Sequence, residues 1–562
     1  MKFKRILPIL PFSLLSVFAL AGCDSKDESN VLRILNCEDY IYEYESGDEV
    51  NSSGDKEDYT YRKDMTEQFE IYWAKTHSGE QIQVIYDTFD TNETMFNELQ
   101  TGKTTYDVIV PSDYMIQKIL KDKKIDLEPF DPEVREEIWS NISPYLNNKF
   151  KEIEAEGRKL YDYSIPYMWG TIGVMYNPNF YDLDEERVHE LFTDWDSLYG
   201  EELQGSFSIK DSVRDTYAVS LIHNFRDEIS EIDDNGTLTN VFNRCDEETM
   251  KAVKQDMLNL KKNAFGFECD SGKTDMTTEK IGANMCWSGD ATWAITEAEE
   301  NGLELYYSIP TSYKGEEGKG ASNVWFDGFC MPKSDDLHKE LAQEFIKFMS
   351  QPENAAQNCY CVGYTPGVAG QEMLDYILGE YEANEVLAYY EDELAGLDEK
   401  YAELREEVEE KFANKQKRLE KELASLDKDY EEEKASLQES IAAEKDWIKQ
   451  NEGTEENYYD LRYFYGDDMD DAYFIPCLGS VGRQLTAQYP SLEIMDRLAV
   501  MNDFGPKGNE MLLDMWEQVR TNALPVWGII VLAIEAVGGI AFGVYLITHK
   551  VNRKKYKKNR AN

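Results

Sequence analysis

From about Glu380 to Gln450 the sequence stops resembling a packed globular core. Leu397, Tyr401, Leu404 and Val408 recur at three-and-four spacing, as do Leu419, Leu423, Leu426, Tyr430 and Leu437, with Glu and Lys filling the remaining positions. This pattern predicts a coiled coil. The two registers differ by one residue around Phe412 to Gln416, near the midpoint, which marks either a hairpin tip or a stutter. Globular sequence resumes at about Tyr458, so both ends of the segment belong near one body. An antiparallel hairpin returns the chain to that body where a single long helix does not.

The flanking sequence alternates strand and helix patterns. Val31 to Leu35, Gln81 to Tyr86 and Tyr106 to Val110 read as strands, with helices over Asn92 to Gln100 and Tyr114 to Leu120. After Pro166 the alternation resumes with strands at Ile172 to Tyr176 and Glu304 to Ile309 and helices at Thr216 to Asn224 and Met250 to Lys262. Leu337 to Met349 is an amphipathic helix. Such alternation implies parallel sheets with helices on both faces, and 562 residues give room for two α/β lobes.

Both ends carry address labels. Lys2, Lys4 and Arg5, the apolar stretch Ile6 to Leu20 and the small residues before Cys23 read as a secretory signal peptide over residues 1–22. Leu20-Ala21-Gly22-Cys23 resembles the lipobox of bacterial lipoproteins, which implies that Cys23 is the lipid anchor. Val526 to Thr548 is long and apolar enough to cross a hydrocarbon core about 30 Å thick as a transmembrane helix. The basic tail over 549–562, with Lys550, Arg553, Lys554 and Lys555 at its start, places the C-terminus in the cytoplasm and the body outside it at the cell membrane. Glu535 and the Gly539/Gly543 face suit contact with a protein neighbour in the membrane.

Charge narrows the partners. Lys and Arg number 58 against 110 Asp and Glu, a formal net charge of -52, so the basic footprint that nucleic acid requires is missing. A charged ligand is then a cation. Besides Cys23, the cysteines are scattered too irregularly for a disulfide framework and read as buried thiols. The His residues are isolated, so neither a metal site nor a cofactor motif can be assembled.

Seven motifs give the body its character. Asn36-Cys37-Glu38-Asp39-Tyr40-Ile41, Val84-Ile85-Tyr86 followed by Asn92-Glu93-Thr94-Met95, and Tyr106-Asp107-Val108-Ile109-Val110-Pro111-Ser112-Asp113-Tyr114 come first. Ser164-Ile165-Pro166-Tyr167-Met168-Trp169-Gly170, Trp287-Ser288-Gly289-Asp290, Trp325-Phe326-Asp327-Gly328 and Gly363-Tyr364-Thr365-Pro366 follow in order. Together they resemble the spermidine/putrescine-binding proteins of ABC importers, from about Val31 to Gly370 and again from about Tyr458 to Arg520. The resemblance implies an extracytoplasmic substrate-binding component that delivers a polyamine to permease subunits and catalyses nothing. It also implies a two-lobe periplasmic-binding-protein-like α/β fold closing by hinge motion. The first lobe is expected over 31–171 plus 328–374 and the second over 172–327 plus 458–523, with the coiled coil of 380–450 inserted between them.

Polyamine chemistry agrees with these residue types. A flexible methylene chain bearing ammonium groups calls for carboxylates at the charges and aromatic faces along the methylenes. The resemblance assigns Asp215 and Asp327 to the ammonium groups, Tyr40, Tyr114, Trp287, Trp325 and Tyr364 to the walls, and Ser112 to a hydrogen bond. Asp290 fits less well, because the family more often has a small polar residue there. Three departures, Cys37 for an aromatic, Met501 for a Gln and Ser212 where an acid can stand, favour putrescine over spermidine.

Two rival classes remain at this level. Asp215 and Asp327 could serve as acid and base of a hydrolase, although no nucleophile elbow, metal motif or phosphate loop accompanies them. Alternatively the coiled coil is the functional part, and the chain is a surface interaction or scaffold protein on a solute-binding fold. Asp233-Asp234-Asn235-Gly236 reads as a turn, since Phe242 stands where a calcium loop needs its bidentate acid.

Overall fold

The computed structural model describes residues 30–44, 62–299, 301–380, 385–413, 415–451, 458–466, 474–476 and 481–521. The expected signal peptide, Cys23, the segment 526–548 and the basic tail lie outside the described residues. Among the described residues no helix is long and apolar enough to cross a membrane.

The chain opens with β1 (Val31–Cys37), β2 (Gln83–Phe89), α1 (Asn92–Thr101), β3 (Val108–Ile109) and α2 (Asp113–Lys121). β1 lies parallel to both β2 and β3, the arrangement that alternating strands and helices demand. α1 starts where the Thr91 side chain accepts from the Thr94 backbone N–H, and it stops at Gly102 in the left-handed region, φ 61°. β2 runs three residues past its expected end, because Asp87, Thr88 and Phe89 pair with Leu35, Asn36 and Cys37.

The next elements are β4 (Ser164–Tyr176), β5 (Phe207–Lys210), α3 (Val213–Asn224), β6 (Gly266–Glu268), β7 (Ala283–Trp287), α4 (Ser288–Glu299), β8 (Tyr306–Ser308) and β9 (Ser322–Pro332). β4 is buried along its whole length. Its first half pairs antiparallel with β9, and its second half pairs with β7 and β8. β9 reaches β3 through Cys330 and Ile109, while β7, β5 and β6 continue the sheet on the other side. Two α/β lobes result, joined by the long strands β4 and β9.

One sequence expectation is corrected here. The strand expected to begin at Ile172, after Pro166, begins instead at Ser164 and runs through the proline. Proline has no N–H for the ladder, but Pro166 stands opposite Gly328, where the β4–β9 register shifts between Phe326 and Gly328. The missing donor coincides with a break already present. Asp233 to Gly236 is a second correction: Asp234 accepts from the Thr237 N–H and starts a helix over Asn235–Phe242.

After the first two lobes' strands come α5 (Glu385–Phe412) and α6 (Gln416–Asn451), which run antiparallel. Lys400 reaches Glu433 at 2.5 Å, Tyr430 donates to Asp398 at 2.6 Å, and Lys445 reaches Glu391 at 2.6 Å. The chain reverses between Phe412 and Gln416, so the register change is a hairpin tip. Leu397 is buried in this pair, whereas Leu404 is exposed. The chain then returns to both halves of the body. Tyr463 and Phe464 pack on Tyr145 and Trp169, with ring centroids 5.8 and 5.4 Å apart. Beyond them, α7 (Val481–Gln488) sets Arg483 against Glu299 of α4 at 2.8 Å, β10 (Leu498–Val500) pairs parallel with β9, and α8 (Gly505–Arg520) follows. The thiols of Cys37, Cys245, Cys269, Cys286 and Cys330 are free.

Candidate ligand-binding site

A cavity of about 300 Å³ is lined from both lobes, and Tyr40, Ser112, Tyr114, Asp215, Trp287, Trp325, Asp327 and Tyr364 all contribute to its wall. Cys37, Ser212 and Met501, the three departures noted from sequence, line it as well.

Asp327 owes its position to the irregularity in β9. A bulge turns a side chain that would otherwise follow the strand's alternation, and Asp327 lies between the two registers while bridging to Ser112 instead of to β4. Tyr40 donates its hydroxyl to Asp327 Oδ2 at 2.8 Å. Oδ1 is buried and has no partner among the described residues. Burial pushes this carboxyl up to about 6; the neighbouring Ser112 and Tyr40 hydroxyls oppose the rise, and the negative charge of Asp215 adds to it. Ser112 is itself held by Asn92, which donates to its Oγ at 2.9 Å and accepts from its N–H at 3.0 Å.

Asp215 stands at the start of α3 and accepts from the Trp287 indole N–H at 3.0 Å. Burial raises its carboxyl, while bonds from Ser212 and Trp287 and the charges of Arg214 and Lys210 oppose the rise. The guanidinium of Arg214 lies 4.6 Å from the Tyr114 ring centroid and 4.0 Å from that of Phe504. Tyr114 in turn donates to Glu93 at 3.2 Å.

The aromatic wall is locked by close packing. Tyr40 meets Tyr364 edge to face at 4.9 Å, and Trp325 lies tilted 5.8 Å from Tyr364. Tyr364 packs so tightly on Gly289 that a Cβ there would fall 2.2 Å from its ring. Gly363, with φ 73°, ends the preceding helix in the left-handed region and turns the chain into Tyr364.

Asp290 is fully engaged. Its Oδ1 accepts from the Tyr364 hydroxyl at 2.7 Å and its Oδ2 from the Lys210 ammonium at 2.7 Å. Burial alone would raise Asp290, but Lys210 and Lys273 outweigh it and hold the carboxyl low. Sequence reasoning missed Lys210. A lysine ending the strand Phe207-Ser208-Ile209-Lys210 reads as a solvated edge residue, yet all four residues are buried. Asp113 also lines the cavity unforeseen, and burial raises its carboxyl well above the ordinary value. Asn92 lay in a recognised motif without an assigned role.

This arrangement can seat an alkylammonium group. Asp327 Oδ1 offers an acceptor that nothing in the described chain satisfies, Asp215 adds negative charge nearby, and the rings of Tyr40, Tyr364 and Trp325 supply apolar faces.

The chain is similar to several known proteins. The profile of the bacterial extracellular solute-binding protein family matches residues 64–372. The spermidine/putrescine-binding periplasmic protein of Escherichia coli (strain K12) is 27% identical over 298 residues, covering 52% of this chain and 73% of that protein. The putrescine-binding periplasmic protein PotF of the same organism is 27% identical over 286 residues, covering 49% of this chain and 68% of its own length. Among solved structures, the spermidine/putrescine ABC transporter substrate-binding protein PotD of Streptococcus pneumoniae is 28% identical, covers 60% of this chain and 83% of its own, and superposes with a TM-score of 0.41. The chain belongs to the family of bacterial extracellular solute-binding proteins.

Proposed function

We propose that this protein is the extracytoplasmic substrate-binding component of an ABC importer, capturing putrescine or spermidine and handing it unchanged to permease subunits. The observation that carries the reading is the buried, unpartnered Asp327 Oδ1 in a cavity walled by Tyr40, Trp325 and Tyr364. An ammonium group satisfies that oxygen, and the rings cover the methylenes beside it. Two relatives whose names specify putrescine or spermidine support the choice of ligand. In this reading Tyr40, Ser112, Tyr114, Asp215, Trp287, Trp325, Asp327 and Tyr364 contact the ligand. Calorimetric titration with putrescine, spermidine and a single amino acid tests it. Saturable binding of a polyamine without turnover is expected, and heats indistinguishable from dilution with both amines would refute it.

The remaining proposals concern where the body is held. The lobes are divided as 31–171 plus 328–374 and 172–327 plus 458–523, with the helix pair of 380–450 as a coiled-coil insertion. Cys23 carries lipid, 526–548 spans the membrane, and 549–562 is cytoplasmic. One acyl chain holds a membrane only marginally, whereas a spanning helix holds it permanently. Cys23→Ala is therefore expected to leave the protein in the membrane fraction and deletion from Pro525 onward to weaken retention. A fully soluble Cys23→Ala protein would refute the span.

A further inference from the structure

We propose that Lys210 is a built-in cation that occupies one ammonium position of the cleft and so restricts the ligand to a diamine. This rests on the polyamine reading above and deepens it by naming the number of charges the site accepts. Lys210 ends β5 with its side chain 2% exposed. Its Nζ lies 2.7 Å from Asp290 Oδ2, 3.6 Å from Glu268 Oε1 and 4.4 Å from the centroid of the Trp287 ring. A carboxylate and an aromatic face are what a ligand ammonium seeks, and here the protein's own ammonium already holds both.

The two carboxylates of the cleft are therefore unequal. At Asp290 both oxygens are taken, one by Lys210 and one by Tyr364. At Asp327 one oxygen is taken by Tyr40 and the other is vacant. They are linked through the wall, because Tyr40 and Tyr364, the two hydroxyl donors, meet edge to face at 4.9 Å. A ligand cation that approached Asp290 would find both of its oxygens engaged and its charge already balanced by Lys210, so a further ammonium group would lose its hydration there without gaining a partner. Burial alone would favour loss of the Lys210 proton, but the Asp290 and Glu268 carboxylates more than offset it, so the cation persists. The position thus excludes an extra ammonium group by being already filled, which is a specificity device as much as a structural pair.

The test is calorimetric titration of the full-length protein with putrescine and spermidine, read as the ratio of their dissociation constants. The native protein is expected to bind putrescine at least about tenfold more tightly than spermidine. Lys210→Met frees Asp290 and Trp287, and the ratio should fall by about tenfold through a gain in spermidine affinity. Equal affinities in the native protein, or an unchanged ratio in a folded Lys210→Met variant, would overturn the proposal. If circular dichroism shows that this variant does not fold, Lys210→Gln, which keeps a hydrogen-bond donor beside Asp290 while vacating its charge, carries the test. The ratio should then fall by about threefold or more, and no change would overturn the proposal. Failure of the native protein to bind either amine is a different result, since it overturns the polyamine reading itself.

Discussion

Asp327→Asn is expected to make the empty protein more stable while it weakens ligand binding. The substitution keeps the shape of the side chain and removes its charge. Burial raises the Asp327 carboxyl from 3.8 to about 6. At about 1.4 kcal/mol for each pKa unit, holding it ionised at pH 7 costs the folded state about 3 kcal/mol, or about 2 kcal/mol allowing for the side chain's partial exposure. The sign follows from the direction of the shift. A carboxyl raised on folding contributes stability that is fully present below 3.8 and is lost as the pH rises through about 6. Urea unfolding of the two proteins side by side should therefore show the variant more stable by about 2 kcal/mol at pH 7, with the difference vanishing near pH 4. In the same variant, polyamine affinity should fall by about 1.5–3 kcal/mol, roughly 10- to 100-fold, the scale of a charge-assisted hydrogen bond. A variant less stable than the native protein at pH 7, or a stability gap that does not change with pH, would refute the account of Asp327 as a carboxylate whose burial outweighs its hydroxyl partners.

Polyamine affinity in the native protein should drop by about tenfold between pH 7.5 and pH 5, as Asp327 takes up its proton, and calorimetry of Asp327→Asn should show no such loss. Gly289→Ala forces a methyl group into the Tyr364 ring and should cost about 1–3 kcal/mol, seen as a lower melting temperature and weaker binding together. Arg483→Met removes the guanidinium from buried Glu299 and should destabilise the protein by about 3–5 kcal/mol, measured by urea unfolding.

Local elements were legible where short-range chemistry decides them. Thr91 and Gly102 bracket α1 within one residue of its expected ends, because capping and a left-handed stop are written in adjacent residues. The eight expected ligand residues line one cavity, and all but Asp215 sit in motifs whose neighbours fix the backbone, as Gly363 does for Tyr364. What escaped the sequence depends on distant partners. Pro166 looked like a boundary until Gly328 and its register shift were brought opposite it. Lys210 went unassigned because Asp290, its ion-pair partner, is 80 positions away along the chain. The hairpin tip at Phe412 to Gln416 carries no Gly or Pro, so only pairing across the two helices, such as that of Lys400 with Glu433, distinguishes it from a stutter.

The irregularity at Asp327 lies on a strand that both lobes share, and this has a mechanical consequence. When two bodies swing about common strands, atoms close to the fulcrum travel least, while those at the rim sweep the longest arcs. Asp327 lies on that shared strand, bridged to Ser112, whereas Asp215 belongs to the helix on the other side of the cavity. An amine that settled its charge on Asp327 would keep it there while the lobes moved. Capture and closure would then be separate events, the first at the pivot and the second bringing up Asp215.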